Sequence, residues 1–254
     1  MLWKLLKYDF RSMGKSFALI WPAALVLALI NHFTLPYDSR EAEVTGLLEL
    51  VLVIAFVSVL FAMFVAVMIF VVQRFYKGLL GDEGYLMHTL PVRAWQLVLS
   101  KLICAVVTSV VSMAVMLAAC ILMVPIRWSQ VLRITFFQDL WEAIASHPDS
   151  IVYLLEFLLV CVLALILFIT MTYLSMAIGH LFRRRILMSV AAFIGLDILG
   201  TVYLDCLDKL HVLEHMLSAN THATFLGASA MMLPLVLLFT AGTVWILGHR
   251  LNLE

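Results

Sequence analysis

The chain has 254 residues, of which 65% are hydrophobic and 13% charged, with sixteen basic and sixteen acidic side chains. Its mean hydropathy is +1.09. Soluble domains carry about 25% charged residues, so too little polar surface exists here to wrap a water-soluble core. The neutral balance says nothing about nucleic acid, and no basic, aromatic-interleaved patch suggests such a partner.

Six long apolar runs follow one another: Ser16–Tyr37, Leu50–Gln73, Leu102–Ile126, Phe157–Phe182, Ile186–Leu204 and Ala223–Gly248. Five contain no Asp, Glu, Lys or Arg, and the fifth contains only Asp197. A helix needs roughly 20 apolar residues to cross the hydrocarbon layer, so the expected fold is all-α, a polytopic membrane protein with six transmembrane helices in a single domain. Basic residues choose the side. Lys4, Lys7, Arg11 and Lys15 precede the first run, Arg74, Lys77, Arg93 and Lys101 lie between the second and third, Arg183, Arg184 and Arg185 between the fourth and fifth, and Arg250 follows the sixth. Only Arg40, Arg127, Arg133 and Lys209 fall in the alternate gaps. Short loops rich in Lys and Arg stay cytoplasmic, which places both termini inside.

Before the first run, Lys4, Lys7, Arg11 and Lys15 recur at helical spacing opposite Leu2, Leu6, Phe10, Met13 and Phe17. That pattern predicts an amphipathic helix over residues 1–16, lying on the inner membrane surface. The first run ends in Asn31-His32-Phe33 and is too long for a signal-peptide core, so it is expected to remain as a span. In the outer gaps, residues 127–150 keep near-helical apolar spacing until His147-Pro148-Asp149-Ser150, where Asp149 or Ser150 can cap the fourth span. Residues 205–222 read as a short amphipathic helix followed by a polar link. Cys104, Cys120, Cys161 and Cys206 are scattered, without disulfide or metal spacing.

The segment Arg74–Lys101 reads RFYKGLLGDEGYLMHTLPVRAWQLVLSK. Gly78 and Gly81 are expected to break the helix that leaves the second span. Asp82 and Glu83 then precede Gly84, Tyr85 and Leu86, and Thr89 and Leu90 lead to Pro91. Acidic groups suit a helix N-terminus, so Asp82–Pro91 is predicted to be a short helix lying crosswise at the inner surface. An exposed apolar helix with a charged rim suits docking into a partner's groove.

This stretch, Gly81-Asp82-Glu83-Gly84-Tyr85-Leu86-Met87 with Thr89-Leu90-Pro91-Val92 and Leu97–Lys101, resembles the first cytoplasmic loop of type-2 ABC exporter permeases, in their small bacterial six-span form. The basic N-terminal segment, resembling an elbow helix, and the six runs also fit that family. The resemblance implies that Asp82–Pro91 is a coupling helix against a separate ATPase subunit, with Glu83 contacting a basic residue there. It further implies a second permease copy or homologue, and a bacterial plasma-membrane location. No G-x-x-x-x-G-K-[ST] occurs in the chain, so ATP and its Mg are expected on the partner and no cofactor on this chain. On this reading the chain is a transport subunit rather than an enzyme.

Asp197 is the charged residue deep within a run. An Asp at the bilayer centre costs about 2.5–3.5 kcal/mol on insertion scales, which suggests a substrate path or a permease–permease interface, with Gly195 and Gly200 allowing close packing. The alternative is a span that ends early and leaves Asp197 in water. Met63, Phe64, Met68 and Phe70 in the second run are candidates for an apolar path suited to an amphiphilic cargo such as a lipid, drug or antimicrobial peptide; the plainer reading is lipid-facing or core packing. His211, Glu214 and His215 match H-x-x-E-H, so an intramembrane metal-dependent enzyme is a competing reading, although no acidic residue on the same side of the membrane follows to complete the ligand set. A membrane scaffold or sensor of the same architecture is the third.

Overall fold

A computed structural model describes residues 7, 9–10, 17–34, 47–81, 93–123, 148–209 and 221–249. Among these the architecture is helical throughout: α1 (Ile20–Thr34), α2 (Leu47–Phe75) running into a π-helical turn (Tyr76–Leu80), α3 (Ala94–Met123), α4 (Pro148–His180), α5 (Arg185–Lys209) and α6 (Thr221–His249). The apolar composition dictates this outcome. A backbone surrounded by hydrocarbon must satisfy its N–H and C=O groups internally, and a helix does so within one segment.

Five of the helices, α2 to α6, are long and apolar enough to cross a membrane. The helix of the first run, α1, has 15 described residues, about 22 Å at 1.5 Å per residue; residues 16 and 35–37 of that run lie outside the described residues. Asn31 and His32, near its end, are both buried. Of the expected surface helix over residues 1–16, Lys7, Asp9 and Phe10 are described, each helical. The remainder of that helix, the outer segment 127–147 and residues 210–220 lie outside the described residues.

Two boundaries differ from the sequence reading. The fourth helix begins at Pro148, with Asp149 in its first turn; proline suits that position because its missing N–H would be unpaired there anyway, and the acid complements the helix dipole. The fifth helix runs on to Lys209. Asp205 and Lys209 therefore continue the span rather than open a separate amphipathic helix, since hydrogen bonding along the helix does not stop where the side chains become charged.

The chain divides into two compact units, with the boundaries falling inside α2 and α3. The first contains Lys7–Phe70 and Val107–Pro148. Here α1 packs through Ala28 against Phe56 of α2 and Ala119 of α3. Trp21 donates its indole N–H to Ser112 Oγ at 3.1 Å, and Asn31 donates to the carbonyls of Leu27 at 3.0 Å and Leu52 at 3.3 Å. Phe17 stacks on Trp21 with ring centroids 5.4 Å apart and meets Phe70 edge-on at 5.3 Å.

The second unit contains Val71–Val106 and Asp149–Glu254. Its core joins Met171, Leu174 and Ala177 of α4 to Leu235, Phe239 and Ile246 of α6, with Phe193, Leu196 and Tyr203 of α5 packed on it. Leu181–Arg184 form the turn from α4 to α5, with Leu181 N–H bonded to Ile178 O at 3.1 Å and Phe182 N–H to Gly179 O at 3.2 Å. Arg183, Arg184 and Arg185 are exposed there. The two helices approach closely at Gly179, where a Cβ would stand 2.6 Å from the backbone N and 2.7 Å from the Cα of Ser189, and against its Oγ. Backbone cannot yield as a flexible side-chain tip can, so only glycine fits. Pro234 sits inside α6, where its missing N–H leaves a carbonyl one turn earlier without its helical partner.

Gly179→Ala is expected to lower the stability of the detergent-solubilised chain by about 1–3 kcal/mol, the usual cost of overpacking. Gly195→Ala is expected to leave it unchanged, because nothing lies within 4 Å of a Cβ there. Thermal unfolding followed by size-exclusion chromatography measures both.

Candidate functional site

The segment singled out by its sequence begins where α2 ends. Gly78 does not break the helix. Tyr76–Leu80 form a π-helical turn with Gly78, Leu79 and Leu80 buried, and the segment ends at Gly81, whose N–H bonds to Tyr76 O at 2.7 Å. Gly81 has φ −98° and ψ −167°, extended backbone that any residue adopts. The closer approach is at Gly78, against the flexible end of a side chain. A Cβ there would stand 3.1 Å from Lys101 Cε and 3.4 Å from Nζ. Lys101, on α3 just beyond the far end of the same loop, is 1% exposed; its stem and ammonium group lie over the π-helical turn.

A third helix completes this arrangement. The Tyr173 ring of α4 stacks on Phe75 with centroids 4.0 Å apart and an interplanar angle of 15°. Its hydroxyl donates to the Lys101 carbonyl at 3.3 Å. Phe75, Leu79, Leu97, Lys101 and Tyr173 are all nearly inaccessible. Tyr76 and His180 rings lie 6.5 Å apart beside them. The two roots of the loop are thus fixed to one another and to α4 by an aromatic stack, a buried lysine and a hydrogen bond. Lys101 stands in the sequence in a basic gap and at the end of the Leu97–Lys101 string, and Tyr173 in an apolar run. Their pairing spans 72 positions and leaves no local signal.

Asp82, Glu83, Gly84, Tyr85, Leu86, Thr89, Leu90 and Pro91, the expected ATPase contacts, lie outside the described residues, as do His211, Glu214 and His215. Among the described residues no group of three or more His, Cys, Asp or Glu side chains is arranged to hold a metal ion.

Asp197 is the central residue of the 25-residue α5. It is exposed, while its neighbours Phe193, Leu196 and Tyr203 pack into the core. Thr201 returns its hydroxyl to the Asp197 carbonyl at 3.1 Å. Gly195 and Gly200 nearby have open space where a Cβ would be, so neither is required by packing within the chain. The other candidates divide by face of α2. Met63 is fully buried, Phe64 is exposed, and Met68 and Phe70 are half-buried. Phe70 packs against Phe17. Met63 and Phe70 therefore serve packing in the unit that contains them, and Phe64 stands outside it.

One polar pair joins α4 to α6 at their opposite ends from the Lys101 cluster. His222 Nδ1 is 3.0 Å from both carboxylate oxygens of Glu156, and the Tyr153 ring stacks on the imidazole with centroids 4.3 Å apart. The Glu156 side chain is 13% exposed. Solvation at the membrane surface, the expected fate of a carboxylate near a span end, is here replaced by a side-chain partner.

No known family model matches the chain, and neither curated proteins nor solved structures gave a match.

Tyr173→Phe keeps the stack on Phe75 and deletes only the bond to Lys101 O. It is expected to cost about 0.5–1.5 kcal/mol, whereas Tyr173→Ala, which also removes the ring, is expected to cost about 3–5 kcal/mol. Thermal denaturation of the two variants side by side separates the contributions.

Proposed function

We propose that this chain is the transmembrane subunit of an ATP-driven exporter, with six spans, both termini in the cytoplasm, and a bacterial plasma-membrane location. A separate ATPase subunit would bind ATP and Mg and dock on Asp82–Pro91. Two permease copies, identical or related, would form the pathway. The cargo class that suits an apolar path is an amphiphile or hydrophobe.

The observation that carries the reading is the fixed base of the Asp82–Pro91 loop. A lever transmits force only if its attachments do not yield. Here the outgoing helix ends in a buried turn beneath Lys101, the returning helix supplies Lys101, and Tyr173 of a third helix is tied to both. A push on the loop would therefore move α2, α3 and α4 at their inner ends rather than bend the loop's roots. In this mechanism ATP binding closes the ATPase pair, the docked loop shifts, and the inner helix ends move to expose the path alternately to each side.

Asp197 supports the same reading from another direction. An exposed carboxylate at mid-span is costly against lipid, and the bare surface at Gly195 permits close approach of another helix. We place the second permease against this face of α5.

The ATPase test is co-purification. A nucleotide-hydrolysing subunit is expected to travel with the chain, and Glu83→Ala is expected to lower its bound fraction or its cargo-stimulated turnover roughly tenfold, about 1.4 kcal/mol. Full cargo transport by the chain alone in liposomes would overturn the exporter reading. ATP turnover without flux would favour a sensor, and stoichiometric zinc lost on His211→Ala would favour the enzyme.

The interface test is a cross-link. With Cys104, Cys120, Cys161 and Cys206 replaced, Gly195→Cys is expected to give a disulfide-linked dimer on mild oxidation in membranes, while cysteine at Ala177, a buried core position, is not.

A further inference from the structure

An open groove of about 740 Å³ runs between the first turns of α3 and the last turns of α6. Trp95 and Trp245 stand along it, Leu99, Leu102 and Leu237 line its deeper part, and Ala241 and Gly248 leave room. Its few polar groups are turned away. The Thr240 hydroxyl donates to its own helix at Val236 O (2.7 Å) and Leu237 O (3.0 Å). His249 holds Nδ1 3.3 Å from Trp245 O and stacks on the Trp245 ring. The groove walls are therefore mostly apolar, and water gains few hydrogen bonds there.

Its position gives it a direction along the membrane normal. α3 and α6 have 30 and 29 residues, about 44–45 Å at 1.5 Å per residue, so their ends project beyond a hydrocarbon layer of about 30 Å. Trp95 and Trp245 lie within about one turn of those ends, the level at which tryptophan collects in membranes. The leucines lie one to three turns deeper. Arg93, exposed, immediately precedes Ala94, which lines the groove, and His249 lines it from α6. A basic residue next to an apolar cleft between two membrane helices matches a lipid with an anionic headgroup.

We propose that this groove binds one acyl chain of an anionic phospholipid from the cytoplasmic leaflet, with its phosphate held by Arg93. The site is separate from the Asp197 face of α5. It rests on the chain spanning a bilayer with these helix ends inside, and not on coupling to an ATPase.

The test uses the full-length chain in nanodiscs, with phosphatidylglycerol or phosphatidylcholine carrying brominated acyl chains as quenchers of tryptophan fluorescence. The Trp95 and Trp245 signal is taken as the difference from the Trp95→Phe/Trp245→Phe variant. Brominated phosphatidylglycerol is expected to compete for the site about fivefold better than brominated phosphatidylcholine, the preference expected of one basic group near the surface. Arg93→Gln is expected to abolish that preference while leaving quenching by both lipids. Gly248→Leu and, independently, Ala241→Phe are expected to fill the groove and reduce quenching by both. Gly248 has nothing within 4 Å of a Cβ, so its variant places the new side chain in open space, and a monodisperse elution profile verifies folding of each.

Equal competition by the two lipids in the unaltered chain would overturn the headgroup assignment. Quenching unchanged by both filling variants would overturn the groove as the site. Tryptophans shielded from both lipids would show that protein, such as a second copy of the chain, covers the groove, and would overturn it too. Loss of the ATPase partner changes none of these readouts, so failure here is distinguishable from failure of the exporter reading.

Discussion

Hydrocarbon cannot hydrogen-bond, and that single property governs this molecule. Each peptide group along a span must find its partner within its own helix, and side-chain hydroxyls face the same demand. Ser58, Thr172, Ser229, Thr240 and Thr243 all return their hydroxyls to the carbonyl four residues earlier, and Ser100, Thr170 and Ser175 to the one three earlier. Such hydroxyls are neutral to packing: they satisfy themselves and leave the helix surface apolar. Among the described residues, polar groups that reach another helix each mark a specific pairing. Trp21 with Ser112, Asn31 with Leu52 O, Tyr173 with Lys101 O and His222 with Glu156 select which helices adjoin, because the alternative for each group is an unpaired donor or acceptor in lipid.

Close packing supplies the rest of the specificity. Lipid tails are as apolar as leucine, so burial of apolar surface barely distinguishes a helix from lipid as a neighbour. What distinguishes them is fit. Gly179 lets α5 turn back against α4 at Ser189, Gly78 lets Lys101 lie across the π-helical turn, and Gly242 brings α6 to within 3.2 Å of Leu174 at the position of a Cβ. By contrast, Gly195, Gly200 and Gly248 have open space around them. A glycine lowers helix stability by up to about 1 kcal/mol relative to alanine, so a glycine on an open surface has no packing return within the chain itself.

Much of the helical architecture was legible in the sequence, because run length and charge-free composition report directly on the cost of placing groups in hydrocarbon. Pro148 and Asp149 marked a helix start for reasons local to that turn. The failures share a cause of their own. Gly78 read as a helix breaker because its propensity is visible and the close approach of Lys101 is not. Asp205–Lys209 read as a new element because hydropathy drops there, although backbone hydrogen bonding continues. Nothing local to Glu156 marks its pairing, because His222 is 66 positions away. Met63 and Phe64 could not be separated, since packing against protein and against lipid select the same residue types. In each case the deciding contact comes from a different helix, and periodicity within one segment does not encode it.

The Lys101 cluster is where such non-local contacts bear on the proposed function. Lys101 is buried against a π-helical turn, itself a departure from regular helix geometry, at the root of one loop. The aromatic stack of Tyr173 on Phe75 and the bond to Lys101 O hold both there. A closely packed region resists small deformations and responds as a unit to large ones, because packed interiors shift between discrete arrangements rather than bending continuously. An element that carried motion from an attached loop into three helices, as proposed above, would need that behaviour. A merely connecting loop between two spans does not, and flexible solvent-exposed roots would serve it equally well.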